Sequence, residues 1–104
     1  MYLLTLRQNM TNKNQIITFL KQNKKQIQEK YKVNKIALFG SFARDEANQD
    51  SDIDILVDMS PSFDNFFDLK YFLEDEFKTT VDLGKEKNMR LFIKNKIQED
   101  LIYV

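Results

Sequence analysis

The stretch LFGSFARDEANQDSDIDILV, residues 38–57, contains the residues that decide the fold. It begins within an apolar run, Val33–Phe39, that predicts a β-strand and stops at Gly40. It ends within a second predicted strand, residues 52–57, in which Asp52 and Asp54 are flanked by apolar residues. Because aspartate is depleted in strands, this alternation of acidic and apolar residues requires a chemical explanation.

The two aspartates are expected to lie on one face of the strand, because side chains alternate between the faces of a sheet. Two steps of strand rise place them roughly 6.6 Å apart, and their repulsion at an effective dielectric of 20 is about 2.5 kcal/mol. Asp82 has a similar setting in the apolar stretch VDL, and it joins the same face if its strand is the neighbour. Such a group of acids is tolerated if one is protonated or if divalent cations bind. Two bound cations would favour phosphoryl or nucleotidyl transfer.

Gly40 and Ser41 lie where the first strand gives way to a predicted short helix, SFARDEA. A glycine at such a turn allows a phosphate to approach the backbone, and the first amides of a helix favour an anion. Arg44 lies one turn further along, where its guanidinium can reach back to a phosphate. The chain has only two glycines, which excludes a Walker loop and a dinucleotide-binding fingerprint.

The remaining apolar periodicity predicts helices over 11–32, 64–77 and 88–99, and a third strand over 80–83 closed by Gly84. Residues 101–104 are apolar and either extend the last helix or add an edge strand. The order of elements predicts a small α+β domain in which helices pack on a short mixed sheet.

The composition excludes several classes of function. The chain has 104 residues, which suggests one domain, and its 16 basic and 16 acidic residues give no global indication of nucleic acid or membrane binding. Without cysteine or histidine, there is no disulfide, no Cys/His zinc site and no histidine base. Any metal site must use oxygen ligands, as Mg²⁺ does. No apolar stretch suits a signal peptide or a membrane span, so a cytoplasmic location is expected.

These residues resemble the hallmark of the minimal nucleotidyltransferase family, the small branch of the DNA polymerase β-like superfamily. That hallmark is Gly-Ser, ten residues, then Asp-x-Asp, and the spacing from Gly40 to Asp54 matches it without a gap. The TTVDLG strand and the closing MRLFIKNKIQEDLIYV are also similar. Asp45 departs from the family pattern, because many members have glycine after the arginine. We expect a single domain of this family over residues 11–104 after an N-terminal extension over 1–10, with Met10 as an alternative start.

The resemblance implies a magnesium-dependent enzyme, with two Mg²⁺ ions, that uses ATP. The residues implied to hold the triphosphate are Gly40, Ser41 and Arg44, and those implied to bind the metal and act in catalysis are Asp52, Asp54 and Asp82. Asp82 would also help to activate the acceptor hydroxyl. Members of this family typically act as antitoxins beside a HEPN-domain ribonuclease toxin, and they silence it by transferring AMP from ATP to one of its tyrosine hydroxyls.

Two alternatives remain open from the sequence. The chain could block a toxin by binding alone, because Phe66, Phe67, Tyr71 and Phe72 supply more aromatic surface than one helix stripe can bury. It could also transfer a nucleotide to a small molecule such as an aminoglycoside, although the chain has no second domain to hold such a substrate. The two enzymatic functions require Asp52 and Asp54, whereas inhibition by binding alone does not, so substitution of these residues distinguishes them.

Overall fold

The computed structural model describes residues 11–104, apart from the side chains of residues 91 and 92. The predicted extension over residues 1–10, including the alternative start at Met10, lies outside the described residues. The helices are α1 (Lys13–Gln22), α2 (Lys24–Tyr31), α3 (Gly40–Ala43), α4 (Phe63–Phe77) and α5 (Leu91–Ile97). The strands are β1 (Val33–Phe39), β2 (Ile53–Met59), β3 (Val81–Lys85) and β4 (Ile102–Tyr103), and 3₁₀ turns at Glu86–Asn88 and Gln98–Asp100 flank α5.

The four strands found within residues 11–104 form one mixed sheet in the order β3-β2-β1-β4. Strand β1 pairs antiparallel with both β2 and β4, whereas β2 and β3 are parallel. The parallel pair requires a crossover, and α4 provides it. The predicted α+β class with a short mixed sheet and packed helices is therefore confirmed.

The core lies on one face of this sheet. Ile53, Ile55 and Val57 of β2 are buried in the same apolar cluster as Leu20 of α1 and Leu69 of α4. Burying an aliphatic side chain of this size contributes about 1.5–3 kcal/mol, so these contacts hold the helices on the sheet. Because side chains alternate along a strand, Asp54 must lie on the opposite face from its isoleucine neighbours.

The single helix predicted over residues 11–32 is wrong, because the chain forms two helices that meet at Asn23. The side-chain amide of Asn23 donates to the carbonyl of Phe19 at 2.9 Å. Asparagine competes in this way for backbone partners, which interrupts a helix. At the other end, Asn12 and Gln15 form a reciprocal capping box that fixes the start of α1.

The third strand and the last helix also differ from the prediction. Gly84 does not close β3, because it pairs with Leu56 and the strand continues to Lys85. Helix α5 covers only Leu91–Ile97 of the predicted 88–99. The two options left for residues 101–104 are decided in favour of the edge strand, since Ile102 and Tyr103 pair with β1.

Asp45, the departure from the family pattern, has a φ of 59°. Glycine adopts this left-handed conformation without steric cost, and aspartate is among the few other residues that adopt it readily. Its carboxylate also forms an exposed ion pair with Lys13 at 3.3 Å. The substitution is therefore accommodated locally. Across the described residues, no helix is both long and apolar enough to span a bilayer.

Candidate active site

The candidate site is built around Asp54 in the middle of the sheet. Asp54 lies opposite Phe39 of β1 on one side and opposite Asp82 of β3 on the other. Directly opposite residues of neighbouring strands share a face, and such strands lie about 4.8 Å apart. The register therefore brings the carboxylates of Asp54 and Asp82 together, although 27 residues separate them along the chain.

Gly40 lies against the carboxylate of Asp54. A Cβ atom added to Gly40 would lie 2.9 Å from Cγ of Asp54, closer than real Cβ atoms approach, and 3.1 Å from its Cβ, which is a tight contact. Gly40 also has a φ of 76°, which residues with a side chain rarely adopt. Both the conformation and the contact therefore require glycine where β1 turns into α3.

Asp54 has an unusual protonation equilibrium. Its partial burial, followed by the charges of Asp82 and Asp52, raises its pKa from 3.8 to about 6, and the charge of Arg44 opposes this shift. Burial disfavours the ionised form, and neighbouring carboxylates disfavour it further. Five of the six residues predicted for the site are thus placed together: Asp54 beside Gly40, and Asp52, Asp82 and Arg44 within electrostatic range of Asp54.

Asp52 is placed differently from the two other acids. It was predicted inside the second strand, but it precedes β2, whereas Asp54 and Asp82 lie within strands; Asp52 is exposed to solvent, as Asp82 is. In the part of the chain that the structure describes, no three acidic side chains form a group that by itself would hold a metal ion. The described geometry therefore offers a carboxylate pair, Asp54 and Asp82, with Asp52 at its edge.

Ser41 lies in α3, a single helical turn that begins at Gly40, and Arg44 caps the end of this turn. Ser41 is half-buried, and its carbonyl accepts a hydrogen bond of 2.9 Å from the backbone N–H of Glu46. The first amides of a helix have no partner within the helix, so this turn presents N–H donors beside the Asp54 carboxylate. These donors suit a phosphate oxygen.

Arg44 is held by two carboxylates that the sequence patterns did not identify. Its Nε donates to Glu46 at 2.9 Å, and its Nη1 donates to Asp100 at 2.8 Å. The hydrogen bond to Glu46, then that to Asp100, raises the pKa of the Arg44 guanidinium. Asp100 lies 56 residues further along the chain, and no motif marks it. Its position follows from the pairing of β4, which the sequence left undecided.

The nucleotidyltransferase domain family model matches residues 20–104. The chain therefore belongs to the nucleotidyltransferase domain family, and the family predicted from the Gly-Ser and Asp-x-Asp spacing is confirmed.

Individual relatives show a more specific similarity, to protein adenylyltransferases of the MntA type. Protein adenylyltransferase MntA of Thermococcus cleftensis is 36% identical over 92 residues, which cover 86% of this chain and 93% of that relative. A Methanocaldococcus jannaschii protein with the provisional name protein adenylyltransferase MJ0128 is 47% identical over 95 residues, which cover 86% of this chain and 95% of that relative.

Solved structures share the fold at lower identity. A structure provisionally assigned as a minimal nucleotidyltransferase superposes with a TM-score of 0.75 at 22% identity, covering 88% of this chain and 95% of that one. A crystal structure of a toxin-antitoxin with AMP-PNP gives 0.64 at 24% identity, covering 89% and 72%. A complex of tri-AMPylated Shewanella oneidensis HEPN toxin with MNT antitoxin gives 0.55 at 23% identity, covering 91% and 70%.

Proposed function

We propose that this chain is a magnesium-dependent protein adenylyltransferase that transfers AMP from ATP to a tyrosine hydroxyl of a HEPN-domain toxin and thereby acts as its antitoxin. The observation that carries the proposal is the pairing of Asp54 with Asp82 beside the glycine turn of α3. The adenylyltransferase names of its relatives support the reaction type, and the toxin complexes that share its fold support the class of partner.

The chemistry requires an acceptor oxygen, a triphosphate and a leaving pyrophosphate. The acceptor hydroxyl forms a bond to the α-phosphorus of ATP, while the bond from that phosphorus to the bridging oxygen of pyrophosphate breaks. The backbone amides at Gly40 and Ser41 bind phosphate oxygens, and Arg44 adds a positive charge. The hydroxyl proton passes to a carboxylate of the Asp54 and Asp82 pair, because these are the bases that the site contains.

The described residues fit Mg²⁺ only together with the nucleotide. Mg²⁺ is usually bound by one or two carboxylates plus substrate phosphates, with water completing the octahedron. Asp54 and Asp82 would supply the carboxylates, Asp52 adds its negative charge at the edge of the site, and ATP would supply the phosphate oxygens. Mg²⁺ bound there would neutralise charge on the reacting phosphates, and the mutual repulsion of the acids gives a reason for the site to favour a cation.

The direct test is transfer of label to a partner. The purified chain is incubated with ATP labelled on its α-phosphate, Mg²⁺ and the product of the neighbouring toxin gene. We expect labelled partner, and we expect the label to disappear with EDTA, with Asp54→Asn, or when the acceptor tyrosine is changed to phenylalanine. Asp50→Asn, which removes a charge from an exposed turn, is the matched control and should transfer normally. A wild-type chain that binds ATP but labels no partner would contradict the proposal.

A second candidate, inhibition by binding alone, is favoured by one observation. Phe63 and Tyr71 on α4 are 76% and 59% exposed, and their rings contact that of Phe67 at 4.7 and 6.3 Å between centroids. This aromatic row differs from the set predicted from the sequence, since Phe66 and Phe72 pack against the core. If Asp54→Asn protected cells from the toxin as well as wild type, binding would account for inhibition.

A further inference from the structure

Asp100 reaches the candidate site through the pairing of β4 with β1. Ile102 lies opposite Leu38 in this antiparallel pair. Asp100 ends the 3₁₀ turn two residues before Ile102, and Gly40 begins α3 two residues after Leu38, so both lie at the same end of the β1–β4 pair. The 3₁₀ turn that precedes β4 therefore lies near the glycine turn. The 2.8 Å hydrogen bond from Arg44 to Asp100 connects the two turns.

The two carboxylates that hold Arg44 are not equivalent. The side chain of Glu46 is 65% exposed and lies two residues away in the same loop, whereas that of Asp100 is 22% exposed and belongs to another element. Solvent weakens an exposed ion pair, so the more exposed Glu46 constrains the guanidinium less. Asp100 is therefore the carboxylate that fixes the direction of the Arg44 side chain.

Arg44 remains available to a phosphate while it is held. A guanidinium has five N–H donors in one plane, and the two hydrogen bonds to Glu46 and Asp100 use Nε and one hydrogen of Nη1. In this same arrangement the charge of Arg44 lowers the pKa of Asp54, so the guanidinium already lies within electrostatic range of the site.

We propose that Asp100 is a positioning residue that fixes the Arg44 guanidinium beside the glycine turn in advance of nucleotide binding. This inference rests on the proposed function for the identity of the nucleotide, but the ligand it concerns is the triphosphate. Arginine has several rotatable bonds, and ordering such a side chain on binding costs affinity. Because β4 pairs with β1 when the chain folds, Asp100 orders the Arg44 side chain before the nucleotide binds, and this ordering no longer costs binding affinity.

The test is a double-mutant cycle on phosphate binding. Wild type, Asp100→Asn, Arg44→Gln and the double variant are titrated with ATP and, separately, with inorganic tripolyphosphate, each with Mg²⁺. We expect Asp100→Asn to weaken both ligands about three- to tenfold, the effect of losing one pre-ordered side chain. In the Arg44→Gln background the same substitution should have no further effect, because there is no guanidinium to position. A merely structural role would weaken binding in both backgrounds.

Two further measurements separate the possible outcomes. Glu46→Gln should weaken both ligands less than Asp100→Asn, and Asp75→Asn, which removes an 84% exposed acid from an ion pair on α4, should not change them. In the transfer assay, Asp100→Asn should raise KM for ATP and leave kcat nearly unchanged. Tighter binding by Asp100→Asn, or additive losses in the cycle, would overturn the inference. A wild-type chain that binds tripolyphosphate with this coupling but transfers no AMP would instead refute only the proposed function.

Discussion

Replacing Asp54 by asparagine should stabilise the protein while removing its activity. The rise in the Asp54 pKa from 3.8 to about 6 means that the folded chain resists ionisation of this carboxyl. At about 1.4 kcal/mol per pH unit the rise corresponds to about 3 kcal/mol, and solvent screening at this half-buried side chain reduces the cost to about 1–2 kcal/mol. Asparagine has nearly the same shape without the charge, so Asp54→Asn should raise the free energy of unfolding at pH 8 by that amount.

The free energy of unfolding gained by Asp54→Asn should increase with pH. Between about pH 4 and pH 6 the folded chain keeps a proton on Asp54 that the unfolded chain has lost, so this group makes wild type less stable as the pH rises. Above about pH 7 the carboxyl is ionised in both states, and its full cost is present. The advantage of Asp54→Asn should therefore be small near pH 4, grow through pH 6 and become constant above pH 7.

Urea denaturation at pH 4.5, 6 and 8, with EDTA and without nucleotide, measures this profile directly. Thermal unfolding should agree, at roughly 4–8 °C for each kcal/mol in a domain of this size. Asp50→Asn is the control for net charge, because Asp50 lies on an exposed turn. The reasoning would be refuted if Asp54→Asn were no more stable than wild type at pH 8, or if its gain were the same at pH 4.5.

Three other substitutions test the structural reasoning. Gly40→Ala should lower the free energy of unfolding by at least about 1–2 kcal/mol, since its φ of 76° is unfavourable for alanine and the new Cβ meets Asp54; urea denaturation would contradict this if the midpoint did not move. Lys78→Gly should raise stability by about 0.5–1 kcal/mol, because Lys78 ends α4 with a φ of 55°, and a lower melting temperature would count against it. Glu74→Ala should cost about 1–3 kcal/mol, because the carboxylate accepts the backbone N–H of Val81 at 2.9 Å; unchanged hydrogen exchange at Val81 would show that this bond does not hold β3.

The sequence predicted the parts of the fold whose cause is local. The strands around Gly40 and Asp54 follow from apolar runs that end at a glycine or a polar turn, and they are observed at nearly the predicted bounds. The break at Asn23 was missed because the apolar periodicity continues through it and only a side-chain hydrogen bond interrupts the helix. The spacing of apolar residues carries no information about hydrogen bonds between a side chain and the helix backbone.

The candidate site was predictable only in part, for a similar reason. Asp54 and Gly40 lie close in sequence and were predicted together, and Asp82 was predicted on the condition that its strand was the neighbour, which the parallel pairing satisfies. Asp100 was not predicted, because its approach to Arg44 depends on the register of a two-residue edge strand. The register of so short a strand depends on residues far apart in the sequence, so no local sequence pattern predicts it.

The parallel pairing of β2 with β3 also determines how proteolysis affects the carboxylate pair. Asp54 and Asp82 become neighbours only after α4 has crossed the sheet and β3 has docked, so a protease that cuts in that crossover leaves the two acids on different fragments. A chain truncated before β3 would keep the Gly-Ser and Asp-x-Asp signature and yet have half of the carboxylate pair. The activity left after a cut in α4 should therefore depend on whether the fragment that carries β3 stays docked on β2.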